Sequence, residues 1–146
     1  MRTLIGYIGA VVVAHIVGAA VAAQHVIGRF EAMAGDVGFV ERLRWTLGDV
    51  VGMATGILYP VAISVALLLA FATAGLVVRR LGGLRTFGFV LAGALGLLAM
   101  HLIMNATMGL NPVAATRDAL GLGLQAVAGA LAGAAYVWLH PARSTS

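Results

Sequence analysis

Four long apolar stretches, approximately Leu4–Ile27, Val50–Val78, Phe87–Leu110 and Val113–Leu139, fill most of this chain. No other feature constrains the fold as strongly. About 20 apolar residues in a helix cross the roughly 30 Å hydrocarbon layer of a bilayer, and each stretch reaches that length. Of the 146 residues, 62% are hydrophobic and only 10% charged, more apolar surface than a soluble domain of this size can hide. The reading is an all-α membrane protein. Residues 1–146 form one integral membrane domain, a bundle of four transmembrane helices, with no room for a separate soluble domain.

Residues 1–23 also resemble a signal peptide, with Arg2, an apolar run and Ala20-Val21-Ala22 as a cleavage-like site. The run is long for a signal sequence and His15 interrupts it, so it is read as the first span.

The charges sort by gap. Arg2, the group Arg79, Arg80 and Arg85, and Arg143 have no acidic neighbours. The other two gaps carry Arg29, Glu31, Asp36, Glu41, Arg42, Arg44 and Asp49, then Arg117 and Asp118. With an even number of spans, both termini and the middle gap share one side. The basic-only gaps are those three, so the positive-inside rule predicts cytoplasmic N- and C-termini. Arginine supplies every basic side chain, and Ala, Gly and Val abound, as expected of a GC-rich bacterial coding sequence. The expected location is the bacterial inner (cytoplasmic) membrane, multi-pass. The net charge of +4 is no nucleic-acid signal, because no basic patch interleaved with aromatics accompanies it.

Between the first two spans, Asp36 is placed to cap a short amphipathic helix. Phe39, Val40, Leu43 and Leu47 share one face, while Glu41, Arg42 and Trp45 face away. This predicts a helix lying on the outer membrane surface, either shielding the bundle or docking a partner through Arg42 and Arg44. Pro60 predicts a kink in the second span. Gly82-Gly83 and Asn111-Pro112 predict tight turns that make successive spans antiparallel neighbours.

Small residues recur every fourth position: Gly48, Gly52, Gly56; Gly121, Gln125, Gly129, Gly133; Ala10, Ala14, Gly18, Ala22; and Gly88, Ala92, Gly96. Such faces let two helix backbones approach closely. They build the bundle, or leave one face over for a homo-oligomer or another membrane protein.

Polar groups at depth are costly and usually meaningful. His15, Tyr59, His101 with Asn105, and Gln125 place one polar group or more from each span in roughly one layer, about 16 Å below the outer end of the second span at 1.5 Å per residue. His25, Asp49 and Arg117 form an outer rim; either Asp49 pairs with Arg117 in a modest interfacial contact, or Arg117-Asp118 is an exposed first turn with Asp118 favoured by the helix dipole. Three readings of the layer stand: hydrogen bonds that fix helix register, a small polar cavity open to the outer face, and bis-histidine ligation of haem b by His15 and His101. Cysteine is absent, which excludes disulfides and thiolate metal sites. No carboxylate lies at mid-depth, and no hydrolase or phosphate-loop motif is present.

The leading expectation is therefore a non-catalytic accessory, assembly or oligomerising subunit that packs through its glycine faces, with no cofactor or metal and the lipid bilayer as its medium. The alternative is a solute- or lipid-binding bundle or pore, with the haem b variant behind it.

Overall fold

The structure, a computed structural model, describes residues 2–81, 84–108 and 113–141. Among these residues it is all-helical, without strands. The elements are α1 (Arg2–Ala34), α2 (Phe39–Thr55), α3 (Leu58–Leu81), α4 (Arg85–Met108), a short 3-10 turn (Ala114–Arg117) and α5 (Ala119–Leu139). Four of them, α1, α3, α4 and α5, are long and apolar enough to cross a membrane. The Gly82-Gly83 and Asn111-Pro112 turns lie outside the described residues, as does Arg143.

Close backbone contact organises the bundle, with α5 in the middle. On one side it meets α4. A Cβ added at Gly93 would stand 2.0 Å from the Gly129 carbonyl oxygen, one at Gly129 would stand 2.1 Å from the Gly93 oxygen, and one at Gly133 would stand 2.1 Å from the Phe89 oxygen. Only glycine permits that approach. On its other side α5 packs against α1, whose buried residues Gly6, Ala10, Ala14, Gly18 and Ala22 recur every four positions. Helix α4 has a second small-residue face. Gly96 meets Ala66 and Ala70 of α3, and Gly88 meets Val78. Around α5, then, the order is α3, α4, α5, α1. The α1–α3 seam is the thin one, tied by the Tyr7 hydroxyl donating to the Ser64 carbonyl at 2.6 Å.

The second apolar stretch departs from the sequence reading. Val50–Thr55 belong to α2, and the chain breaks at Gly56-Ile57 before α3 begins at Leu58. Gly56 is extended there, with φ −77° and ψ 113°. The kink predicted at Pro60 is therefore absent. Pro60 sits in the first turn of α3, where a missing N–H leaves no helical hydrogen bond unmade.

Helix α2 departs from the expected cap. It starts after Gly38 rather than at an Asp36 cap, and no side chain caps it. Gly35, at φ +97°, turns the chain out of α1, and the Glu31 carboxylate accepts from the Val37 amide at 3.1 Å, holding the connection. Beyond it α2 runs back beside α1. Arg42 donates to Gln24 at 2.7 Å and also pairs with Glu31, the Gln24 amide donates to Thr46 at 2.7 Å, and Trp45 meets Phe30 edge-on at 5.5 Å. The side expected to face away, Arg42 and Trp45, thus packs on α1. The apolar side is turned outward: Phe39 and Val40 are almost fully exposed, and no residue of α2 is buried.

Gly48 and Gly52 meet nothing within 4 Å, and Gly56 meets only its own helix. As an intramolecular packing face these glycines are a correction: within the chain they pack nothing. Gly129 and Gly133 pack on α4, whereas Gly121 lies against the Ala115 carbonyl of the 3-10 turn.

The contrast among glycines is testable. Gly129→Ala is expected to destabilise the bundle by about 1–3 kcal/mol, the usual cost of overpacking, because its new methyl meets fixed backbone. Gly123→Ala, with open space around it, is expected to leave the melting temperature in detergent unchanged. Equal melting of the two variants would contradict the packing described.

Candidate functional site: a polar layer across four spans

Each spanning helix brings a polar side chain to one place. Tyr59, in the first turn of α3, is buried at the centre, with the His15 ring of α1 5.7 Å away and the His101 ring of α4 6.2 Å away, centroid to centroid. The Tyr59 hydroxyl lies 3.4 Å from the Gln125 Oε1 of α5, and Gln125 is wholly buried. The Gln125 amide donates to the Gly18 carbonyl at 2.9 Å. Gly18 is small for a reason: a Cβ there would come 2.9 Å from the Tyr59 oxygen and 3.0 Å from Gln125 Oε1.

His15 Nε2 lies 3.0 Å from the Val50 carbonyl of α2. A carbonyl only accepts, so Nε2 carries the proton and Nδ1 presents a lone pair. His15 Nδ1 and His101 Nε2 are both buried without a hydrogen-bond partner among the described residues. Buried polar atoms are usually satisfied, and an orphan costs about 1–3 kcal/mol. Two of them beside one tyrosine are the unusual feature of this chain.

Not every expected residue joins them. Asn105 is exposed. The inward stripe of α4 runs Phe89, Gly93, Leu97, Met100 and His101, and the 3.6-residue period carries it on toward Met104, so Asn105 rotates outward. Because α3 begins at Leu58, depth is counted from α4 and α5: Gln125 lies six residues inside α5 and His101 seven from the end of α4, about 10 Å in. Sequence reasoning missed the Gly18 and Val50 carbonyls, since backbone acceptors leave no side-chain signal.

The rim is rearranged too. His25 meets Asp118 at 2.8 Å, Arg29 meets the same carboxylate at 3.0 Å, and the other Asp118 oxygen accepts from the Gly121 amide at 2.8 Å. Asp118 therefore caps α5 and pins α1 to it. Arg117 and Asp49 are exposed and make no ion pair among the described residues; of the two alternatives, Asp118 at the start of a helix agrees with its place as the N-cap of α5. The reason is local: Arg117 ends the 3-10 turn while Asp118 is the N-cap. Asp49 lies in a shallow cleft with Ala23, Ile27, Arg44 and Trp45, where partial desolvation pushes its carboxyl up.

Chemically, the layer offers neutral donors and acceptors. Both imidazoles lie against the Tyr59 ring, and each keeps one buried ring nitrogen unbonded among the described residues. Ser64, the one serine in the spans, donates to the Pro60 carbonyl at 2.8 Å and faces no histidine. Among the described residues no three His, Asp or Glu side chains converge as metal ligands.

Fold and site together define a class, a multi-pass helical membrane protein with a neutral polar layer shared by all four spans. Comparison with protein-family models, curated proteins and solved structures finds no match for this chain.

The Asp118 cluster makes a pH prediction. The Gly121 amide, then the His25 side chain, hold the Asp118 carboxyl below its ordinary value of 3.8. A depressed folded-state pKa contributes stability above the unfolded value and loses it as pH falls through the folded one. Melting temperature should thus be insensitive to this group near neutrality and drop below about pH 3.8. The drop should be smaller in Asp118→Ala, and an identical acid limb in both proteins would refute the cap.

Proposed function

We propose that the protein is a non-catalytic subunit of a bacterial inner membrane that associates with a second transmembrane helix through the outward face of α2. One observation carries this reading. Helix α2 buries none of its residues, and Gly48 and Gly52 stand open between exposed Leu43, Leu47 and Val51. Small residues at four-residue spacing are what close helix contact in lipid requires. The arginine distribution supports cytoplasmic termini, which turns the α1–α2 connection outward. A second copy of the chain is the simplest occupant, since C2 pairing needs one self-complementary face.

A bulky side chain on that face tests it. A Cβ at Gly52 meets nothing within 4 Å, so the fold of Gly52→Leu should survive. Helix contacts worth about 1–2 kcal/mol should weaken self-association about tenfold, as read by crosslinking in native membranes and by mass in detergent. A wild-type chain that crosslinks to neither itself nor another protein would overturn the proposal.

The paired orphan nitrogens favour a second reading, in which the polar layer holds a small neutral solute or water. A cavity of about 150 Å³ lined by Met53, Tyr59, Met104 and Val113 reaches the layer from the α2–α3 break. Hydroxyl-radical footprinting should then label Tyr59 and Met104 in the folded protein while sparing Met100. Protection of all three would close this reading.

A further inference from the structure

The end of the bundle opposite the α1–α2 connection holds a different kind of pocket. It encloses about 390 Å³ between α1, α3, α4 and α5. Its floor is aromatic: Tyr136 lies 4.8 Å from Phe71 and 4.7 Å from Phe89, and the two phenylalanines meet edge-on at 5.7 Å. Its rim is polar and carries Thr3, Arg79, Arg85 and His140. His140 Nε2 lies 3.2 Å from the Thr3 hydroxyl, and Arg85 donates through Nη2 to the His140 carbonyl while its guanidinium stands 5.8 Å above the Phe89 ring. Among the described residues only Nη2 of the Arg85 fork is engaged, and Arg79 makes no ion pair.

Among the described residues no acidic side chain pairs with the arginines here. Glu31, Asp36, Glu41, Asp49 and Asp118 are all the acids in the chain, and all lie toward the other end. Arg2, Arg79, Arg80 and Arg85 gather at this one. His140 adds no positive charge near neutrality, because burial, then Arg85 and Arg2, lower its pKa.

We infer that this pocket binds an anionic phospholipid, its phosphate held by Arg79 and Arg85 and its glycerol end resting on the Phe71–Phe89–Tyr136 floor. Arginine's planar fork suits a phosphodiester, and basic pockets at the ends of packed spans suit anionic headgroups. The lipid is favoured over free phosphate by the apolar floor and by the outer face of α3 that runs on from it, where Leu76, which lines the pocket, and Leu68 two turns away are exposed. Free phosphate has no use for that surface, whereas acyl chains do. The inference does not rest on the function proposed for α2.

Native mass spectrometry of delipidated protein, titrated with phosphatidylglycerol and with phosphatidylcholine of the same acyl chains, tests it. Phosphatidylglycerol should bind saturably and phosphatidylcholine should not. Arg79→Gln with Arg85→Gln should weaken phosphatidylglycerol about 30-fold, from the contribution of two arginines near an anionic surface. Arg44→Gln, at the other end, should change nothing. Arg85 helps hold His140, so Arg79→Gln alone serves if the double variant misfolds, with about a fivefold loss expected. Equal binding of the two lipids, or an equal loss in Arg44→Gln, overturns the inference. A thermal shift produced as strongly by inorganic phosphate alone overturns it as a lipid site.

Discussion

The contact between α4 and α5 is backbone on backbone, and the rest of the bundle depends on it. Lipid is as apolar as a leucine side chain, so helices in it gain little by covering one another. What draws them together is dispersion and polar contact at short range, which falls steeply with distance. Gly93, Gly129 and Gly133 remove the side chains that would hold the two axes apart. Once α4 and α5 are that close, α1 packs on the free side of α5 through its alanines, and α3 fills in against Gly88 and Gly96. The polar layer is a consequence. Gln125 on α5 reaches the Gly18 carbonyl only because the neighbouring helices lie at alanine distance.

The outline of this architecture was legible from residue pattern alone, because bilayer thickness fixes span length and the helical period fixes which small residues align. Four polar residues in otherwise apolar helices, His15, Tyr59, His101 and Gln125, stood out for the same reason: little else in those helices competes for attention. What stayed hidden has physical causes. Val50–Thr55 is as apolar as the span it precedes, and the break at Gly56-Ile57 depends on where α2 finds α1 to lean on. Asn105 follows His101 by one turn, yet the accumulated phase of the helix carries it outward. Asp118 rather than Arg117 binds α1 because a cap is chosen by the geometry of the preceding 3-10 turn, which no periodicity announces. For α2, amphipathicity says which residues share a face and not which medium that face meets.

Two surfaces of the protein are thus unlike in kind. Helices α1, α3, α4 and α5 share a packed interior, whereas α2 is held by a line of polar contacts from Glu31 to His15 and exposes its apolar side. The segment linking α2 to α3 passes the polar layer, and Gly52 lies two residues from the carbonyl that His15 engages. The least covered helix and the least satisfied polar atoms of the molecule are therefore neighbours, joined through one backbone carbonyl.

Charge separates the two ends further. At the α1–α2 end, three positive or ionisable groups find negative ones within the chain, His25 and Arg29 sharing Asp118 and Arg42 taking Glu31. Those groups need nothing from outside to balance them. At the opposite end the arginines pair with no carboxylate among the described residues, and guanidinium groups within a Debye length repel one another. Water and mobile ions screen the exposed ones. Arg85 is only half exposed and lies over an aromatic floor, where screening is weaker and a fixed anion gains most. An unbalanced cation beside apolar surface at the end of a span selects for a molecule that is itself part anion and part hydrocarbon.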